Sequence, residues 1–240
     1  MKKPLLFVAT ILSFACSFAQ RYNRDLIVKW APGSLASGKL TLGGEYNFKK
    51  KNSLELIIGL PTGKSRSFNF DDNSSELTMK AFSVLAGYRY YLGKKPVSGI
   101  YIEPYLKYLH HQASGILIGN LDGETARFDT HTDYKGFGIG GQLGVQFLII
   151  KKISLDFFIL GPEANTSTFS IGATDVASSI PWTTLDAEEA EQDIKDAVSK
   201  IPLVGNKIEI LVDQNTKTVT TRYQGFVPGL RFGASIGIRL

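Results

Sequence analysis

The chain has 240 residues, 43% of them hydrophobic, with a formal net charge of +5 and a single cysteine. So small and scattered a charge argues against a nucleic-acid partner, and one cysteine excludes a disulfide framework. No run reaches the length of a transmembrane helix, and no motif predicts a cofactor.

The first nineteen residues have the three parts of a secretory signal peptide. Two lysines precede an apolar run over 5–14, and small residues follow it up to Ala19. We predict cleavage after Ala19, so that residues 20–240 form the mature domain. A lipoprotein signal acylated at Cys16 is the alternative, although Ser13 stands where such a signal favours Leu or Val.

Eight segments of the mature chain alternate apolar residues with small or polar ones, as strands with two different faces do. They are residues 25–31, 38–48, 53–61, 77–92, 100–111, 134–149, 153–161 and 225–240. The last segment is the clearest, because every second residue from Phe226 to Leu240 is apolar or nearly so.

The turns between these segments alternate in length. Those after strands two, four and six are short and rich in lysine, and those after strands three, five and seven are long. Short periplasmic turns, long extracellular loops and an even strand count are typical of a transmembrane barrel. The fold class predicted is therefore all-β, an eight-stranded antiparallel transmembrane β-barrel integral to the outer membrane, with N- and C-termini periplasmic.

Alternation alone does not say which face meets lipid. A soluble, lipocalin-like barrel with the apolar face inside is the competing interpretation. The second face is mostly Gly, Ser, Thr and Gln with few charges. This composition suits a narrow, filled lumen better than a water-exposed surface, which carries many charges.

Three glycines on the second face of strand six, Gly136, Gly138 and Gly140, leave that face without side chains. We expect them to make room for large lumen residues such as Tyr105 on the neighbouring strand.

Two longer segments predict an extracellular cap. Residues 112–133 read as a protruding hairpin turning at 120–123, and residues 162–221 form a long excursion. The excursion contains a predicted helix, 186–201, with a capping box formed by Asp186 and Glu189, and a hairpin follows it. The helix either packs on its own loop or covers the barrel mouth.

Three segments carry a family resemblance. They are the signal ending F-A-Q, the Y-x-F-K-K-K-N-S-L-E-L stretch from Tyr46 to Leu56, and the closing G-L-R-F-G-A-S-I-G-I-R-L. Together they resemble small outer-membrane β-barrel proteins of the Bacteroidota, most of them uncharacterised. The resemblance implies the fold and the location and supplies no catalytic residues.

The charges of the predicted lumen face concentrate near the short turns. They are Glu45, Glu55, Arg89, Glu103, Asp156 and Arg239. Because buried charges must be paired, we predict four acids around two arginines, with water or a proton absorbing the excess, and Arg89 beside Glu103. The network is either a structural plug or an ion path. Arg231 lies higher, in the company of Lys107 and glutamines, without a clear acid at its level.

Histidines and acids near the predicted hairpin form a weak candidate for a divalent cation site. They are His110, His111, Asp129, His131 and Asp133. Polar residues at a membrane rim are ordinary, so no metal is predicted. The two adjacent histidines with Ser114 also resemble barrel enzymes that deacylate lipid A, but the spacing does not match their His-x-Ser motif.

These patterns favour a non-enzymatic outer-membrane protein that supports the envelope or binds a partner through its extracellular loops. The partners expected are outer-membrane lipid and an extracellular protein or glycan, and the sequence does not fix the oligomeric state. The alternatives are a narrow transporter for small or apolar solutes and, less favoured, an outer-leaflet lipid-modifying enzyme.

Overall fold

The computed structural model of the chain describes residues 25–70, 73–121, 124–177, 182–199 and 207–240. The predicted signal peptide with Cys16 and the predicted turn at Asp122 and Gly123 lie outside these ranges, so both stay predictions.

The described chain is almost entirely antiparallel β-structure. Its ten strands are β1 (Leu26–Ala31), β2 (Lys39–Lys49), β3 (Asn52–Pro61), β4 (Lys64–Phe70), β5 (Asn73–Tyr91), β6 (Gly99–Leu121), β7 (Glu124–Ile149), β8 (Ile153–Asp175), β9 (Ile208–Asp213) and β10 (Thr218–Arg239). A 3-10 turn spans Pro32–Ser37, and helix α1 spans Thr184–Ser199. None of the helices described is long and apolar enough to cross a membrane.

Eight of the strands close into a ring of hydrogen bonds. The order around it is β1, β2, β3, β5, β6, β7, β8 and β10, and β10 pairs back onto β1. In that closing pair Val28 lies opposite Ile238, and Leu240 N donates to Leu26 O at 2.8 Å. The strands β4 and β9 lie off the ring, each paired with one ring strand, β5 and β10 respectively. The expected antiparallel strand ring is confirmed.

The two faces of the ring strands differ as the alternation predicts. On β5, Ala81, Ser83, Leu85, Gly87 and Arg89 are buried inside the ring, whereas their outward neighbours are more accessible. Large apolar side chains form the outer wall, among them Leu54 (52% exposed), Leu106 (49%) and Ile139 (59%). The interior of the ring is therefore largely polar and its outer surface apolar, because a strand directs successive side chains to opposite faces.

The wall of the ring is uneven in height. Strands β1 to β3 have 6, 11 and 10 residues, whereas β6, β7, β8 and β10 have between 22 and 26. The paired strands β6 and β7 continue to Leu121 and Glu124, which confirms the two arms of the predicted hairpin over 112–133 as an extension of the wall.

The predicted loop at 62–76 and excursion at 162–221 are both wrong in extent. Residues 64–70 and 73–79 form a β4–β5 hairpin. Strand β8 runs on to Asp175 and β10 begins at Thr218, so residues 162–175 and 218–221 of the predicted excursion belong to ring strands. The polar residues of these segments still pair through backbone N–H and C=O groups, which are all that a strand ladder requires. They lack the apolar alternation by which strands are recognised in a sequence.

Helix α1 begins two residues earlier than predicted, and its described part ends at Ser199. Its N-terminal box is formed by Thr183 and Asp186, not by Asp186 and Glu189. Asp186 N donates to Thr183 Oγ1 at 3.3 Å, while Thr183 N donates to Asp186 Oδ2 at 2.8 Å. The reciprocal pair places Thr183 as the N-cap, as Ser and Thr do in this motif. The helix lies against β9, with Ala187 buried, and β9 forms the expected hairpin with β10.

Candidate functional site

Six charged side chains meet inside the ring near its short turns. This charged cluster consists of Lys29, Glu45, Glu55, Arg89, Glu103 and Asp156, none of them more than 3% exposed. Five of the six were predicted from the sequence to share this face. An apolar floor of Ile27, Tyr91, Val97 and Tyr101 closes the short-turn end.

Arg89 stands at the centre of the charged cluster. Its Nε donates to Glu103 Oε2 at 2.6 Å, its Nη2 to Glu55 Oε2 at 2.7 Å and its Nη1 to Asp156 Oδ2 at 2.7 Å. The contact with Glu103 confirms the expected cross-strand neighbours. Its guanidinium carbon lies 4.1 Å from the ring centroid of Tyr101, so ion pairs and an aromatic contact together position the guanidinium. The fork geometry of Arg lets one side chain bind several carboxylates at once.

Lys29 is the second cation of the charged cluster, and it was not predicted from the sequence. Its Nζ lies 2.6 Å from Glu45 Oε2, 2.9 Å from Glu55 Oε1 and 3.0 Å from Asp156 Oδ2. The available signal was the alternation of β1, which places Lys29 on the same face as buried Ile27. Strand β1 has only six residues, too few for the pattern to stand out.

Arg239 does not join the charged cluster, contrary to prediction. Its Nη2 and Nε donate to Asp25 Oδ1, at 2.5 and 2.9 Å. Register explains the difference: Arg239 lies opposite Ile27, whereas Lys29, two residues farther along β1, lies opposite Gly237. The apolar Ile27 therefore separates Arg239 from the carboxylates above it.

Four carboxyls around two cations leave a formal excess of two negative charges. Neutral donors supply further bonds: Tyr91 Oη donates to Glu45 at 2.6 Å, Tyr101 Oη to Asp156 at 2.7 Å and Ser53 Oγ to Glu45 at 2.6 Å. Gln142 Nε2 donates to Glu103 Oε2 at 2.7 Å. Buried carboxylates need such donors because they have lost water.

Glycines make the space in which these large side chains lie. A Cβ placed on Gly87 would lie 2.0 Å from Glu103 Oε1, and one on Gly140 would lie 2.6 Å from Tyr105 Cζ. The expected accommodation of Tyr105 by Gly140 is thus confirmed, while Gly136 and Gly138 make room for Tyr134 and Asn165 instead.

Arg231 lies above the charged cluster, as predicted, and binds the amide of Gln142 rather than an acid. Its guanidinium carbon is 4.2 Å from the ring centroid of Phe158. The acid nearest its level, Glu163, is instead paired with Lys107. Lys107, Phe158, Glu163 and Arg231 line an upper cavity of about 440 Å³ between the charged cluster and the long-loop end of the ring.

The structure splits the predicted rim cluster of histidines and acids. His110 Nε2 lies 2.8 Å from Asp133 Oδ2, but His111 lies opposite Tyr134, on the other face of the strand pair. Adjacent residues of a strand cannot share a face. His131 and Asp129 follow on the face of His110, opposite Ser114 and Ile116, four and six residue pairs farther along. Within the described ranges, no three His, Cys, Asp or Glu side chains are placed to hold a metal ion.

Ser114 lies opposite His131 rather than beside the adjacent histidines. Of the hydrogen bonds found in the described chain, none joins its hydroxyl to an imidazole, which is the contact that activates a serine nucleophile.

One comparison with known proteins gives a match. Residues 6–161 match a family described as protein of unknown function (DUF3575), which is more than half of the chain. The chain belongs to the DUF3575 family. No curated protein and no solved structure matches it. The DUF3575 match contains the whole charged cluster, whereas Glu163 and Arg231 of the upper cavity lie beyond it.

Proposed function

We propose that the chain is an eight-stranded outer-membrane β-barrel, non-enzymatic and closed to ion flow, that supports the envelope or binds a partner through its extracellular end. Its N- and C-termini lie on the periplasmic side together with the short turns.

The observation that carries this proposal is the apolar outer wall of a closed ring. Side chains such as Leu56 on β3, Ile102 on β6, and Phe137 and Phe147 on β7 are each between 44% and 55% exposed. A soluble monomer rarely exposes a contiguous apolar surface of this extent, whereas lipid covers it at no cost. At the height of β1, where the ring closes, each ring strand pairs on both sides, and hydrocarbon requires backbone groups to be paired.

The charged cluster supports a barrel that does not conduct. Its six side chains are buried, and the floor beneath them includes Val97, whose carbonyl accepts a bond from Gln146 at 2.9 Å. Val97 belongs to the short connection between β5 and β6, so the turn itself folds under the lumen. A hydrated path would expose these charged groups instead.

The uneven wall supports partner binding at the opposite end. There β6, β7, β8 and β10 rise beyond β1 to β3, and β9 with α1 adds a further surface. Protein and glycan partners are the classes that such a polar, protruding surface fits.

Membrane position is tested by cell fractionation and by gel mobility. We expect the protein in the outer-membrane fraction and a different mobility of the unboiled protein, because a folded barrel resists detergent. Recovery as a soluble periplasmic protein overturns the proposal. The orientation is tested with a protease-cleavable tag inserted beside α1, which we expect to be cut on intact cells, and a matched tag in the 150–152 turn, which we expect to be protected.

Conductance separates the proposal from the transporter alternative. In planar bilayers we expect no channel steps from the wild-type protein. Steps that persist under purification, and that change when Arg89 is replaced, would instead establish a path through the charged cluster.

A further inference from the structure

The upper cavity has a charge balance opposite to that of the charged cluster. Three cations line it, Lys39, Lys107 and Arg231, and Glu163 is the single acid among the described residues that do so. Glu163 is already engaged, since Lys107 pairs with it and Tyr105 Oη donates to it at 3.0 Å. Lys39 and Arg231 thus face the cavity with no carboxylate of their own.

The hydrogen-bond partners of these two cations are neutral groups. Lys39 Nζ lies 3.4 Å from Ser83 Oγ, at the outer limit of a hydrogen bond. Arg231 gives one N–H to the Gln142 amide and stacks on Phe158. A partly buried cation gains most from an anionic acceptor, which neither has.

A third polar group points independently to a ligand. Thr41 is 7% exposed, and its Oγ1 has no hydrogen-bond partner in the described chain. Gly59 brings it close to the cation: a Cβ there would lie 2.4 Å from Ser83 Oγ, 3.0 Å from Lys39 Cδ and 3.3 Å from Thr41 Oγ1. The hydroxyls of Ser83 and Thr41 and the side chain of Lys39 therefore converge beside Gly59, which has no side chain. Buried hydroxyls are seldom left without a hydrogen-bond partner.

The upper cavity also reaches the outside through the wall. Its lining includes the outward-facing Leu230 (64% exposed) and Phe232 (74%), together with Gly33 of the 3-10 turn. At this height β10 has a partner strand on one side only: β9 pairs with residues 218–223 and β1 with 236–239, and no described strand covers 224–235 from that side. Beside the cations the hydrogen-bond ladder of the wall is therefore interrupted, and the 3-10 turn contacts β10 in place of a strand.

We propose that the upper cavity binds the anionic head of a single-chain amphiphile, a carboxylate or phosphate, whose apolar tail leaves through this gap onto the outer wall. Lys39 and Arg231 bind the charge, Thr41 and Ser83 donate to its oxygens, and Leu230 and Phe232 contact the tail. The exit of the tail into lipid rests on the proposed membrane position; binding of the head does not.

Binding is measured by calorimetry and phosphorus NMR on the full chain folded in non-ionic dodecyl maltoside micelles, with protein-free micelles as the blank. Octyl phosphate is expected to bind more tightly than inorganic phosphate, and octanol not measurably. The double variant Lys39→Met/Arg231→Met should bind octyl phosphate at least about tenfold more weakly, since two charge-assisted bonds are lost. Lys80→Met, an exposed lysine of β5, is the matched control and should leave binding unchanged.

Two further variants keep the test sharp if the double variant folds poorly. Thr41→Val removes only the unpartnered hydroxyl and should weaken octyl phosphate binding measurably. Gly33→Trp, at a position where a Cβ meets nothing within 4 Å, should obstruct the gap and weaken octyl phosphate while sparing inorganic phosphate; Gly44→Trp, equally open but elsewhere on the wall, should affect neither.

Equal affinities for octyl phosphate and octanol, or unchanged binding in both Thr41→Val and the double variant, overturn the anion site. Equal affinities for octyl phosphate and inorganic phosphate overturn the amphiphile. Binding is measured in micelles and does not depend on the cellular location. A soluble periplasmic location would therefore contradict the membrane proposal without contradicting binding of the anionic head.

Discussion

Lys29 Nζ lies 3.0 Å from Asp156 Oδ2, although 127 positions separate the two residues in the chain. Their strands are not neighbours, since β10 lies between β1 and β8 in the ring. The contact therefore crosses the interior rather than following the wall. It ties together strands that backbone hydrogen bonds leave unconnected, and the charged cluster thereby fixes the shape of the ring.

Removal of the central cation is expected to be costly. Arg89→Met retains bulk but leaves four carboxyls beside Lys29 alone, so we expect the free energy of unfolding to fall by about 3–5 kcal/mol, the range for breaking a buried ion pair. Urea titration in phospholipid vesicles, followed by gel mobility, measures this. Arg127→Met, on the exposed upper part of β7, is the control. A loss no larger than that of the control would contradict the central role of Arg89.

The two cations of the closing strand pair should behave differently. Lys29→Met removes three buried ionic contacts and is expected to destabilise the ring by several kcal/mol, whereas Arg239→Met removes a half-buried pair with Asp25 worth about 1 kcal/mol or less. The same urea titration compares them directly. Equal losses would mean that Arg239 belongs to the charged cluster after all.

Space for Glu103 should depend on Gly87. Gly87→Ala places a methyl group 2.0 Å from Glu103 Oε1, and Glu103 is held by Arg89 and Gln142, so we expect a loss of about 1–3 kcal/mol from overpacking. Gly44→Ala, where a Cβ meets no atom within 4 Å, should leave stability within about 0.5 kcal/mol. If both variants unfold alike, the loss reflects strand flexibility rather than the contact.

Acidification should weaken the start of α1. The backbone N–H of Thr183, and then its hydroxyl, hold the pKa of Asp186 below its ordinary value of 3.8. A carboxyl whose pKa falls on folding stabilises the helix above its ordinary pKa, and this contribution is lost as pH falls through the lowered one. Carboxyl chemical shifts measure the titration. Thr183→Ala should raise the pKa of Asp186 part of the way toward its ordinary value, and Thr184→Ala should leave it unchanged. An unchanged pKa in both variants would show that the Thr183 hydroxyl does not contribute to the cap.

Much of the ring could be predicted because a two-faced strand leaves a period of two in the sequence. On β5, for example, Phe82, Tyr88 and Tyr90 alternate with Ser83, Gly87 and Arg89, and each residue lies on the expected face. The pairing of Arg89 with Glu103 followed from symmetry about a short turn. Contacts of this kind are local, so turn length fixes them.

The parts that could not be predicted depend on register between distant strands or lack apolar alternation. The choice of Lys29 over Arg239 depends on how β1 meets β10, more than 200 positions away. The upper part of β8 alternates Glu163, Asn165 and Ser167 with small residues, and Pro162 suggested that the strand had ended. Thr41 gave no signal at all, since only the fold leaves its hydroxyl without a partner.

The pairing of β1 with β10 has a consequence in time. Strand β10 follows every other ring strand along the chain, so the ring has no closed form until it has been made. Contacts between such distant segments form slowly, because the entropy of a long loop is lost before they are gained. Until that last step Lys29 and Asp156 lie on the two edge strands of an open sheet, β1 and β8. Pairing of β10 with β1 therefore closes the ring and completes the charged cluster in one event.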